Sequence, residues 1–161
     1  MLFRSGGVAH AIVAVDAHGS GTTVPVLEGR DFYAAPRPSP GGAFLAWLTW
    51  DHPQMPWDGS ELWVGRWIDD DGVPRVTEPR RIAGGSDVSI GQPMWCRDGS
   101  LCYLSDEAGW WQPYRLPPPG GAGSFTSVPS VLAPAPAEFH GPDWVLGQST
   151  LAELPDRKSV V

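Results

Sequence analysis

The sequence predicts an all-β protein, a partial β-propeller of about three blades, each a small sheet of four short strands. Three observations carry this. Short apolar runs alternate with Gly, Pro, Asp and Ser clusters, the signature of strands and turns. No segment sustains a helical period. A unit that opens on Pro and turns at Gly recurs along the chain, and repeats of about 40–50 residues mean propellers or arrays.

The apolar runs fall at residues 11–15, 24–27, 44–50, 62–67, 101–104, 125–132 and 144–146. The repeat is clearest in two places. Pro36-Arg37-Pro38-Ser39-Pro40-Gly41-Gly42 precedes Phe44-Leu45-Ala46-Trp47-Leu48-Thr49, and Pro93-Met94-Trp95-Cys96-Arg97-Asp98-Gly99 precedes Leu101-Cys102-Tyr103-Leu104-Ser105. Asp98-Gly99 is a strong hairpin signal, because both residues tolerate the positive φ of a tight turn. A third copy is expected to start at Pro142-Asp143-Trp144 and run to Leu154-Pro155-Asp156. Glu61-Leu62-Trp63-Val64 matches Gln112-Pro113-Tyr114-Arg115 as the next strand of each unit, and residues 79–85 read as an outer strand and turn. Residues 117–123, with three Pro and three Gly, read as a surface loop.

Composition narrows the function. The formal net charge of −7 disfavours nucleic acid, whose phosphates demand a basic footprint. No run approaches the ~20 apolar residues of a membrane span, and residues 1–7 lead into no apolar leader segment. A cytoplasmic protein is expected, with Cys96 and Cys102 as free thiols. Nine Trp argue for a packed core. His10, His18, His52 and His140 lack metal-ligand spacing, so no metal and no cofactor are expected. His18 reads as a turn residue, and Asp69-Asp70-Asp71-Gly72 as a solvated turn that lacks the other oxygen ligands of a calcium loop.

The blade pattern Pro-x-Trp-x-x-Asp-Gly-x-Leu at residues 93–101 resembles the repeat of Tol-type propellers and of prolyl-oligopeptidase-family serine peptidases. Residues 31–40, 45–64 and 138–147 are similar to the propeller of the acylaminoacyl-peptidase and dipeptidyl-aminopeptidase branch, and the resemblance runs from Ala11 to Asp156. The chain departs from the pattern at Gly41, where the turn usually carries Asp, and at Cys96-Arg97, where Ser-Pro is usual. Relatives of this kind finish with an α/β-hydrolase domain whose Gly-x-Ser-x-Gly elbow exposes the nucleophile. The nearest match here, Gly147-Gln148-Ser149-Thr150-Leu151, lacks the second Gly, so no catalytic residue is assigned. Ser149, His52 and Asp51 can be named as a triad, but nothing in the sequence brings them together.

The resemblance implies a propeller segment that gates a hydrolase domain absent from this chain, excludes folded proteins and admits short peptides. A non-catalytic propeller module that binds a protein or peptide partner is the alternative. Candidate gate or interdomain residues cluster in the insertion at residues 50–59: Asp51, His52, Trp57 and Asp58, with Pro53 and Pro56 stiffening the loop by fixing φ. The bland reading of the same loop has Trp50 and Trp57 packing on a neighbouring blade and the Asp residues bonding turns. Glu138 is a further candidate, placed to attract the free amino group of a peptide. Residues 1–155 are expected to form the propeller portion and residues 156–161 a non-native tail. Asp156-Arg157-Lys158-Ser159-Val160-Val161 is what a common short-read sequencing adapter encodes in one frame.

Overall fold

The computed structural model describes residues 8–19, 21–70, 72–120, 123–155 and 159–160, all of them strand, turn or irregular chain. Two four-stranded antiparallel sheets dominate. The first holds β3 (Phe32–Pro38), β4 (Phe44–Trp50), β5 (Glu61–Asp70) and β6 (Val73–Gly84) in that order. The second holds β7 (Ile90–Trp95), β8 (Leu101–Ser105), β9 (Gln112–Leu116) and β10 (Ser130–Val131), again paired in chain order. A two-stranded piece precedes them, β1 (Ile12–Val15) with β2 (Thr23–Leu27), and another follows, β11 (Ala152–Glu153) with β12 (Ser159–Val160). Consecutive up-and-down sheets of this kind are propeller blades.

The two large sheets repeat each other in detail. In the first, the register with β4 slips between Ala34 and Arg37; in the second, the register with β8 slips between Gly91 and Met94. Both slips hold a non-glycine residue at positive φ directly before proline: Ala35 (48°) before Pro36 and Gln92 (42°) before Pro93. Glu78 (50°) before Pro79 in β6 is a third case. Proline has no N–H to give a ladder, so it is confined to bulges and edge strands, and β3, β6 and β7 are all edge strands. The turns that follow also match. Gly42 N–H donates to Ser39 O at 2.8 Å and Gly99 N–H to Cys96 O at 3.0 Å. Both glycines sit at positive φ, 71° and 81°, where a Cβ is strained.

The middle strands β4 and β8 are buried along their whole length. A strand covered on both faces reads as a continuous apolar run, which is why Phe44–Trp50 was legible. One face of each packs into a shared core between the sheets, with Ala46, Leu48, Leu62 and Val64 meeting Ile90, Leu101, Tyr103 and Leu116. Phe125 closes that core edge-on to Phe44, with ring centroids 5.2 Å apart. A second cluster of Cys96, Cys102, Leu104, Trp111 and Leu151 lies on the far side of the second sheet.

Three sequence expectations change. Of residues 125–132, only Ser130–Val131 is strand; Phe125 is a core plug from an irregular segment. Residues 144–146 form an exposed bend: Trp144 N–H turns back to Pro142 O at 2.8 Å, and among the described residues no strand pairs with them. The third unit therefore begins later than Pro142. Glu153 faces Ser159 across its hairpin as Trp95 faces Leu101, so Glu153 is the counterpart of Trp95. His18 does lie in a turn, its N–H bonded to Asp16 Oδ1 at 2.9 Å. Asp69 and Asp70 end β5 beside the turn to β6; Asp71 lies outside the described residues, as do residues 156–158 and 161 of the predicted tail.

Candidate functional site

Antiparallel registers place the ends of β3, β4, β5 and β6 at one rim: Phe32 faces Trp50, Thr49 faces Glu61, and Glu61 faces Gly84. The corresponding ends of β7, β8 and β9 meet at Ile90, Ser105 and Gln112. Ser60, buried, joins the two rims: its hydroxyl accepts from Ile90 N–H at 2.9 Å and donates to Ile90 O at 3.2 Å. Asp51, His52, Trp57, Asp58 and Glu138 all lie on connections at this rim.

The loop after Trp50 is tightly built. Asp51 Oδ2 accepts from Arg30 Nε at 2.7 Å and its Oδ1 from Asp31 N–H at 2.9 Å, while Asp31 Oδ2 accepts from His52 N–H at 2.9 Å. Arg30 reaches on to Glu61 Oε2 at 3.0 Å. Glu61 also receives Trp63 Nε1 at 2.8 Å and Arg81 Nη1 at 3.1 Å. Burial alone raises the Glu61 carboxyl, but hydrogen bonds from Trp63 and Arg30, the Arg30 charge and the Arg81 bond outweigh it and hold it below the usual carboxylate range. Asp58 Oδ2 caps the turn by accepting from Met55 N–H at 3.0 Å, and Asp58 N–H donates to Met55 O at 2.9 Å. Both aspartates therefore have the turn-bonding role that short acidic side chains favour. The His52–Pro53 peptide is cis, and the His52 imidazole is exposed.

Trp57 does not enter the core between the sheets. Its half-buried ring meets Trp144 with centroids 4.4 Å apart, so the loop and the bend at residues 144–146 share one aromatic contact. Trp144 and Val145 are 68% and 69% exposed and Met55 44%, which leaves an apolar patch on the rim.

Glu138 stands on the second sheet's part of the rim. Its Oε2 accepts from Trp111 N–H at 2.8 Å, and Phe139 N–H donates to Trp111 O at 2.9 Å, so the segment pairs with the start of β9. The carboxylate stays exposed. Asp106 is close by: burial pushes its carboxyl up, the Ser89 N–H opposes this, and the Glu138 charge adds to the rise.

The structure does not bring the nameable triad together. Ser149 Oγ receives Gln92 Nε2 at 3.3 Å and bonds to neither His52 nor Asp51. Sequence reasoning missed a different relay, Asp143 Oδ1 to His140 Nε2 at 3.1 Å and His140 Nδ1 to Thr150 Oγ1 at 2.9 Å. His140 is buried, edge-on to Trp111 at 4.9 Å, and ties the irregular segment to the residues that lead into β11. Its only sequence signal is the spacing of His140 and Asp143. Among the described residues no three His, Cys, Asp or Glu side chains gather to hold a metal ion.

Comparison with solved structures decides the relationship. A puromycin-hydrolyzing peptidase of Mycobacterium tuberculosis superposes on 95% of this chain with a TM-score of 0.80 and 39% identity. A puromycin hydrolase superposes on 83% with a TM-score of 0.71 and 35% identity. The chain is similar, over nearly its whole length, to part of these prolyl-oligopeptidase-family peptidases. Its likeness is to the family's propeller region, and it spans 22% and 19% of the lengths of those two neighbours. No family profile and no curated protein matches it. Within a prolyl oligopeptidase propeller, the repeated Ala35-Pro36 and Gln92-Pro93 bulges are equivalent points on successive blades.

Proposed function

We propose that this chain is the propeller segment of a serine peptidase, and that it gates and size-selects substrates for a hydrolase domain of the same polypeptide. The observation that carries this reading is the 39% identity, across 95% of the chain, to a puromycin-hydrolyzing peptidase of which it spans 22%. Short peptides and puromycin are the proposed substrates of the whole protein, in a cytoplasmic setting.

The rim supplies the physical roles. Arg30, Asp51 and Asp31 lock the 51–60 loop, so Trp57 is presented in a fixed place beside Trp144. This apolar pair with Met55 is the proposed seat of the hydrolase domain, where exposed aromatics gain most from burial. Exposed Glu138, with Asp106 near it, gives the rim negative charge that attracts a substrate's ammonium group. His52, exposed on the same loop, lies where the domains would meet.

The test is made on the full-length protein. The coding DNA should run in frame into a Gly-x-Ser-x-Gly segment, and the enzyme should cleave puromycin and short peptides but not folded proteins. Glu138→Gln should raise KM for substrates with a free amino group and leave N-acetylated ones unchanged. Absence of the in-frame motif, or equal cleavage of folded proteins, refutes the proposal.

A further inference from the structure

Cys96 and Cys102 play no part in the rim, which lies at the opposite end of the second sheet. They flank the β7–β8 turn. The strand register sets Met94 against Cys102 and Trp95 against Leu101, so Cys96 stands just past the ladder on the same face as Cys102. The turn is closed by Cys96 N–H to Ser100 O at 2.8 Å and Gly99 N–H to Cys96 O at 3.0 Å. The two thiols are free, buried, and have their Sγ atoms 3.1 Å apart. That is about 1 Å longer than the ~2.05 Å disulfide bond. The contact is reached by rotamer choice within a closed turn and needs no backbone opening.

The surroundings suit chemistry as well as packing. On one side lie Leu104, Trp111 and Leu151. On the other, a cavity of about 530 Å³ is lined by both cysteines together with Arg97, Asp98, Ser100, Arg115 and Glu153. Such a cavity admits a small polar oxidant.

We propose that Cys96 and Cys102 are a peroxide-responsive dithiol that closes reversibly into a disulfide across the β7–β8 hairpin. Hydrogen bonding from the Cys102 thiol, set against burial and helped by the Ser100 hydroxyl, lowers the Cys96 thiol to about 7, while the same bond and burial push Cys102 up. Cys96, at the turn and less deeply buried than Cys102 (5% against 1% exposed), is the attacking thiolate, and Cys102 is the resolving thiol. The Cys96 thiolate attacks one oxygen of hydrogen peroxide; an S–O bond forms, the O–O bond breaks, and the departing hydroxide takes up a proton. Cys102 then loses its proton and attacks the Cys96 sulfur; an S–S bond forms, the S–O bond breaks, and water leaves. Two thiols and one peroxide give one disulfide and two waters, with two electrons passing from sulfur to oxygen. The product ties the turn covalently to the buried strand β8.

The test uses the wild-type chain and hydrogen peroxide, followed by intact mass and peptide mapping. The expected product has lost two hydrogens, resists iodoacetamide at both cysteines, and is restored by dithiothreitol. The folded chain should react at least about ten-fold faster than the chain unfolded in urea, since the fold holds the sulfurs together. Cys102→Ser, which keeps a hydroxyl donor beside the Cys96 sulfur but cannot form a disulfide, should stop at a sulfenic acid on Cys96 that dimedone traps. Oxygen addition at Cys96 in the wild type without loss of two hydrogens, equal rates folded and unfolded, or two unreactive thiols would each overturn the proposal. The wild-type measurement decides even if the variant fails to fold.

Discussion

Replacing Ser60 by alanine removes the hydroxyl that joins the two large sheets. Ser60 and Ile90 are 1% exposed each, so water cannot take its place. The hydroxyl serves both the N–H and the C=O of Ile90, at 2.9 and 3.2 Å, on an edge strand whose other side is already paired. Each buried group left without a partner costs about 1–3 kcal/mol. Two such groups, less the relief of no longer burying the hydroxyl, give an expected loss of about 2–3 kcal/mol. For a chain of this size that corresponds to a drop in Tm of roughly 4–12 °C. Urea unfolding followed by tryptophan fluorescence measures the loss, and hydrogen exchange at the Ile90 amide locates it. Ser127→Ala, at an exposed site, is the control and should change stability by less than about 0.5 kcal/mol. If Ser60→Ala also falls within that limit, the claim that this hydroxyl fastens the sheets is wrong.

Glu61→Gln tests the charge hub. Its depressed folded value contributes stability that is present above the unfolded pKa of about 4.3 and lost as pH falls through the lower folded value; the variant's urea midpoint should be flatter than wild type across that acid range, and an unchanged slope would remove Glu61 from the account. Gly91→Ala places a Cβ 2.7 Å from His140 Nε2, and should cost about 1–3 kcal/mol by displacing that buried ring; a wild-type melting curve would show that the ring has room to move. Gln92 Oε1 accepts from Leu151 N–H at 3.0 Å and also from Thr150 N–H, and its Nε2 donates to Leu151 O. Gln92→Ala should therefore speed amide exchange at Thr150 and Leu151 at least ~10-fold while leaving β8 protected, and equal protection would refute this.

Much of the architecture was readable in the sequence because strands buried on both faces cannot hide. Phe44–Trp50 and Leu101–Ser105 are near-continuous apolar runs, and the two Pro-to-Gly units predicted equivalent turns and strands, which the structure repeats, while the bulges at Ala35 and Gln92 were not legible. The prolyl oligopeptidase resemblance rested on those same local patterns, which the chain carries whether or not its partners are known. Position along the sequence could not reveal what is joined across it. Trp144–Val145–Leu146 has the composition of a strand, but strand formation requires a neighbour to complete the ladder, and only the tertiary structure shows that none pairs with it among the described residues. Trp57 meeting Trp144 and Ser60 serving both polar groups of Ile90 depend on segments tens of residues apart being brought side by side, and His140 reaches Thr150 only because the irregular chain between them folds back. The same is true of Cys96 and Cys102: a spacing of six permits many separations, and the closed turn selects the one that puts their sulfurs in contact. Apolar pattern and turn chemistry are local properties, and the sequence alone determined them. Pairing of polar groups is decided by which surfaces the packed sheets leave without water, and that is settled only once they meet.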